Sequence, residues 1–281
     1  MANVKIVTDS AALILPEEAA KYGITIVPLT VMVDGKIYQD NVTITRDEFM
    51  EKMAESENLP TTSQPSLGVF TDAYESIAEE GVEIISIHLS KGLSGTANAA
   101  EQAARMVNAD ITVIDSDFID RAEGFQVLAA AEVAANGGTK EEVLAAIKET
   151  HDKTQLYLTI ADLQNLVAGG RLSKTAGFVA GLINIQIGAH VVEGNINVEV
   201  KGRGAKSIKK YLNGVLDQMK TVEAGIKAAH VSHAGALDKA EALAEEVKSA
   251  FPDAAVTISQ TSPTVSTHTG QGALGFSYLT N

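Results

Sequence analysis

The sequence contains no cysteine. That excludes disulfides and thiolate metal sites, and it fits the reducing cytoplasm in which the protein is expected to work. Basic charge is scarce: 22 Lys and Arg stand against 36 Asp and Glu, a formal net charge of −14. So acidic a chain argues against nucleic acid as a partner, because phosphate backbones select basic surfaces. No apolar run approaches the roughly 18 residues of a transmembrane helix. The opening MANVKIVTDS lacks the basic and apolar blocks of a secretion signal. No G-x-x-x-x-G-K-[ST] occurs, so there is no phosphate loop of that class. What is present is ordinary for a globular chain of 281 residues: 45% hydrophobic, 23 glycines, and length enough for two modest domains.

The most informative stretch is Ile84–Met106, IISIHLSKGLSGTANAAEQAARM. Ile84–Leu89 has the length and branching of a buried strand, and an alanine-rich helical pattern follows the turn Ser90–Thr96. A strand, a glycine turn with hydroxyls and a helix N-terminus together make an anion site, since the first helical N–H groups lack partners. Gly92 and Gly95 would let a ligand approach the backbone. The plainer alternative is that Ser94 or Thr96 only caps the helix.

Strands are expected at Val4–Thr8, Ile24–Val33, Lys36–Gln39, Ile111–Asp115 and Gln155–Ile160, with helices between them. Asp34-Gly35 reads as a hairpin turn. Thr45 with Glu48, and Thr139 with Glu142, read as capping boxes. Leu59–Ser66 reads as a polar link. The alternation predicts a two-domain α/β protein: a parallel, doubly wound sheet over 1–165, then a smaller α+β domain over 166–281 that closes over a ligand. Asp9-Ser10, Ser90–Thr96 and Asp115-Ser116 should then gather at the carboxyl edge of the first sheet. The second half is expected to carry a hairpin across Glu193-Gly194, and His268 falls in a loop before the last strand.

Two motif matches fail on context. Gly270-Gln271-Gly272-Ala273-Leu274-Gly275 spells G-x-G-x-x-G, but neither a helix nor an acidic residue can follow at the required distance. Gly92-Leu93-Ser94-Gly95 approaches a nucleophile elbow, but position 96 is Thr. A serine hydrolase using Ser94 and His268, with Asp9 as the third member, remains a competing reading, as does a binder of another anionic small molecule. Arg171 and Arg203, each beside glycine, can present a guanidinium to a carboxylate or phosphate; a surface salt bridge is the alternative. His230 and His233 have an odd offset on a strand and point to opposite faces, which argues against a shared metal.

Taken together, Thr8-Asp9-Ser10, Thr62-Ser63-Gln64-Pro65-Ser66, Leu93-Ser94-Gly95-Thr96, Asp115-Ser116, Gly169-Gly170-Arg171, Ser232-His233-Ala234 and His268-Thr269-Gly270 resemble the DegV family, in order and over nearly the whole chain. The resemblance implies a cytoplasmic fatty acid carrier, the binding subunit of bacterial fatty acid kinase. Such a protein encloses one long-chain fatty acid and presents its carboxylate to a separate ATP-dependent kinase subunit, with transient membrane contact for ligand exchange. It implies no catalytic residue, no metal and no cofactor in this chain. Carried over by motif, Thr62, Ser94 and His268 should hold the carboxylate. Ser63, Gly95, Arg171 and Arg203 are the expected further contacts to the head group or the partner. The acyl tail is expected along Phe178, Val179, Leu182 and Ile183 and the helix Val127–Ala135. The sequence departs from the family pattern at Lys91, Gln186-Ile187 and Gln271, and it has no acidic residue in Ala11–Leu15.

Overall fold

A computed structural model of the chain describes residues 3–172 and 185–281. The first sheet is built from β1 (Asn3–Asp9), β2 (Thr25–Val27), β6 (Val82–His88) and β7 (Asp110–Asp115), all parallel, in the order β2-β1-β6-β7. Its strands are apolar on both faces because helices cover both. One face packs on α5 (Asp120–Ala135) and α6 (Lys140–Lys153), joining Ile6, Ile85 and Ile87 to Val127, Ala130 and Val143. The other packs on α3 (Leu67–Glu75) and α4 (Thr96–Ala104), joining Val7 and Ile84 to Phe70, Tyr74 and Ala100. The expected capping boxes are present: Thr45 starts α2 (Arg46–Glu55) and Thr139 starts α6.

The stretch Ile24–Val33 divides into two strands instead of one. Pro28, which cannot donate to a ladder, falls at the break. β2 stays in the parallel sheet, while β3 (Thr30–Val33) leaves it and pairs with β4 (Lys36–Gln39) and β5 (Thr61–Ser63) in a small antiparallel sheet. Asp34 and Gly35 turn the β3–β4 hairpin with φ of 47° and 78°, the left-handed pair that such a turn requires. β5 lies inside the stretch read as a polar link.

The third sheet is mixed, ordered β10-β9-β8-β13-β11-β12, with β8 (Thr154–Ile160), β9 (Gln186–Val192), β10 (Asn195–Gly202), β11 (Ile226–His233), β12 (Ala255–Gln260) and β13 (Leu274–Thr280). Only β11 and β12 are parallel. β8 precedes position 165 in the chain, yet its ladder partners are β9 and β13. The helices α8 (Ala205–Met219) and α9 (Leu237–Ala250) cover the outer face around Tyr157, Tyr211 and Phe276. α5 fills the space between the large sheets. Every residue from Asp120 to Val127 is buried, since Ala122 packs against Leu158 of the mixed sheet while Val127 faces the parallel one. The fold is therefore α/β throughout, with a parallel doubly wound sheet followed by a mixed α+β unit. Phe178, Val179, Leu182 and Ile183 lie outside the described residues, and Val127, Ala130 and Ala131 pack in the core of the parallel sheet.

Candidate functional site

The carboxyl edge of the parallel sheet is drawn together as its topology requires. Asp9 at the end of β1 accepts from the N–H groups of Ala11 (3.0 Å) and Leu89 (3.1 Å). Ser116 N–H donates to His88 O (3.0 Å) and Ser90 N–H to Phe118 O (2.8 Å). The hairpin between β9 and β10 reaches this edge from the other sheet: Ser90 Oγ donates to Gly194 O (2.8 Å). Gly92 makes that approach possible, since a Cβ there would overlap the Gly194 carbonyl. Gly95 likewise faces the Gln64 side chain. Both glycines thus admit parts of the protein itself.

Between the two large sheets lies a narrow cavity of about 60 Å³. Leu89, Leu93, Ile119, Leu158, Leu166 and Ile196 form most of its apolar wall. Thr62, Ser94, Arg171 and His268 line the same cavity. They come from four separate segments: β5, the turn before α4, the chain after α7 (Gln164–Ala168), and α10 (Pro263–Thr269).

The sequence places His268 in a loop; it sits instead in the last turn of α10. The helix begins at an N-cap, Ser262, whose hydroxyl accepts from Val265 N–H (3.2 Å), with Pro263 in the first turn. His268 Nε2 lies 2.8 Å from Thr62 Oγ1. Its Nδ1 is buried and has no hydrogen-bond partner among the described residues. Gly169 packs so closely on that nitrogen that any Cβ would overlap the ring. Burial, with the Arg171 charge beside it, pushes the imidazole down to about 4, so it is neutral at pH 7. Arg171 donates from Nε to Leu93 O (3.0 Å) and from Nη1 to Gly169 O (2.6 Å). No carboxylate pairs with it among the described residues.

Ser94 is half-buried, with its hydroxyl 2.9 Å from that of Thr96 and accepting from Thr96 N–H at 3.3 Å. It therefore does take part in capping α4, while its residue also lines the cavity. Ser63, on β5, is exposed, and its carbonyl accepts from the Thr30 hydroxyl at 3.4 Å. Arg203 is exposed just beyond β10 and does not line the cavity. Lys91 is exposed and pairs with Glu101 at 2.6 Å. Gln64, Asp120 and Thr264 also face the cavity, and composition or spacing did not single out any of their side chains. The Ser262-Pro263 pair is the local signal that could have found α10 and hence Thr264.

Chemically, two hydroxyls, a neutral imidazole and a guanidinium beside an apolar wall can hold an oxyanion while enclosing a nonpolar body. The Ser94–His268–Asp9 triad does not assemble. Asp9 Oδ2 lies 3.0 Å from His88 Nδ1, His268 is bonded to Thr62, and Ser94 to Thr96. Among the described residues no cluster of His, Asp and Glu is placed to hold a metal. Nor is any described helix long and apolar enough to cross a membrane.

Fold and cavity together define a three-sheet α/β protein with an interior amphipathic site. The chain belongs to the DegV family, whose description, "Uncharacterised protein, DegV family", matches residues 3–281. It is 43% identical over 283 residues to a DegV domain-containing protein of Listeria innocua, with the whole of both chains covered. Among solved structures it resembles DegV of Bacillus subtilis, described as a fatty acid binding protein, with 31% identity, a TM-score of 0.91 and full coverage of both chains. It also resembles the fatty acid kinase B3 protein of Streptococcus pneumoniae, solved loaded with linoleic acid. That match has 27% identity and a TM-score of 0.85, covering 99% of this chain and 100% of the other.

Proposed function

We propose that this protein is a cytoplasmic carrier that encloses one long-chain fatty acid and presents its carboxylate to a separate ATP-dependent kinase subunit, which makes the acyl-phosphate. The observation that carries the reading is the cavity in which Thr62, Ser94, Arg171 and His268 meet an apolar wall. Thr62 and Ser94 come from the part read as 1–165, Arg171 and His268 from 166–281, so the head-group site is completed where the two parts meet. The fatty acid bound by the similar Bacillus and Streptococcus proteins supports the same ligand class. Burying about 14 methylenes at about 0.8 kcal/mol each gives some 11 kcal/mol gross, so the tail supplies affinity and the polar end sets orientation. The carboxylate is received by Thr62, Ser94 and His268, with the two hydroxyls donating to it, and the Arg171 charge balances it.

On this reading the chain contributes binding and orientation, and the phosphoryl chemistry belongs to the partner. The test is ATP-dependent labelling of a fatty acid with each component omitted in turn. Acyl-phosphate should form only when this protein, fatty acid and a cognate kinase subunit are all present. Steady turnover by this chain alone, abolished by Ser94→Ala, would contradict the carrier role.

A further inference from the structure

The Thr62–His268 contact joins residues 206 positions apart on two elements that share no ladder. Something must fix the small β3–β4–β5 sheet against α10 for that distance to be reproducible. The connection runs through the segment just after β4. Asp40 is 1% exposed, and its backbone N–H donates to Leu29 O (2.9 Å). Its Oδ2 accepts from Thr264 N–H (3.1 Å) and also from the Thr264 hydroxyl. Thr264 is in the first turn of α10, and His268 lies one turn further along the same helix. A few residues away, Arg46 donates from Nη1 to Gln260 O (2.8 Å) and from Nε to Asn41 Oδ1 (3.3 Å). The chain entering α10 is thus held at Gln260 and at Thr264 from the segment that follows β4. From the opposite side Asp120 accepts from the Thr261 hydroxyl (2.7 Å) and that of Ser232 (2.9 Å).

We propose that Asp40 is a positioning residue for the head-group site: by anchoring Thr264 it sets the axial placement of α10 and so the meeting of His268 with Thr62. This rests on the reading that those two side chains receive the fatty acid carboxylate. The anchor is chemically well chosen. A carboxylate can take both the N–H and the hydroxyl of one threonine, and a carboxylate at a helix N-terminus complements the dipole. Burial raises the Asp40 carboxyl to about 6 against the opposing pull of Thr264, Ser10 and the Arg46 charge. The group therefore remains mostly ionised at pH 7, and at lower pH the protonated carboxyl still offers Thr264 an acceptor oxygen. Its other oxygen, Oδ1, is buried without a hydrogen-bond partner among the described residues, so this carboxylate is held in place at the expense of its own solvation.

The experiment reads His268 itself, by NMR titration of its imidazole, alongside fatty acid affinity. In the wild type the ring should stay neutral down to about pH 4. In Asp40→Ala the helix loses its anchor, the ring gains water, and its midpoint should rise above about 5, toward the ordinary value for histidine. Fatty acid affinity should fall about tenfold. A cooperative urea transition like that of the wild type marks an intact fold. Thr264→Val, which keeps the N–H and loses the hydroxyl, should shift the ring less in the same direction, and Thr264→Ser should behave as wild type. These two variants decide the matter if Asp40→Ala does not fold. An unchanged His268 titration in Asp40→Ala or Thr264→Val would overturn the proposal. A wild type that binds no fatty acid at all would instead overturn the functional reading, leaving the titration result to stand by itself.

Discussion

Two imidazole–hydroxyl pairs in this molecule invite comparison. His88 lies inside the parallel sheet with both ring nitrogens engaged: Nδ1 with Asp9 Oδ2 at 3.0 Å, and Nε2 with Ser86 Oγ at 2.7 Å. Ser86 continues to Tyr74 OH at 2.9 Å, and all four side chains of this chain of bonds are buried. His268 has the same kind of hydroxyl neighbour, Thr62, but its second nitrogen is buried with no partner among the described residues and its ring borders a cavity. Buried polar groups are normally satisfied, and an exception needs a reason. The difference teaches where to look for function: the completed network stabilises the sheet, while the incomplete one borders the cavity in which the proposed ligand would sit.

The largest expected contrast is in stability. Asp9→Ala removes the acceptor for His88, Ala11 N–H and Leu89 N–H together, leaving buried donors unpaired. We expect a loss of about 3–5 kcal/mol in urea unfolding. His268→Ala, which removes a side chain already short of partners, should cost far less. Equal losses from the two variants would break the comparison.

A smaller effect follows from protonation. The folded His268 is pushed down to about 4, whereas the unfolded ring titrates near the ordinary 6.5. As pH falls below about 6.5 the unfolded state takes the proton first, so stability is lost between roughly 6.5 and 4 and levels off below that window. The share of this one residue is at most about 3 kcal/mol. His268→Gln should therefore show a shallower decline than the wild type in urea titrations across that range. Because His230 is also held low, at about 3, and is unchanged in the variant, the difference between the two curves isolates His268.

The legible parts of the sequence were those whose cause is local. The capping boxes at Thr45 and Thr139, and the turns at Asp34-Gly35 and Glu193-Gly194, need only neighbours within three or four residues. The gathering of Asp9, Ser90 and Asp115 at one edge follows from parallel topology. β5 escaped because three polar, mostly exposed residues, Thr61–Ser63, carry no hydrophobic period. α10 escaped for a related reason: its seven residues are largely Ser, Thr and His, yet all but His268 are buried. The glycines beside Arg171 and Arg203 look alike in sequence, yet only Arg171 lines the cavity. Flanking glycine gives an arginine room, but position is set by the distant strands it meets. Asp40 and Asp120 were invisible for the same reason, since their partners lie 224 and 141 residues away.

The central claim is that the incomplete network is built for a fatty acid, and native mass spectrometry tests it most directly. Protein purified from bacteria with no lipid added is weighed under native conditions, then denatured, and the released material is extracted and identified. The account predicts about one equivalent of long-chain fatty acid on the folded protein and none on the unfolded chain, because burial of the tail makes its loss slow. A native mass equal to that of the bare chain, remaining so after incubation with long-chain fatty acids, would contradict it.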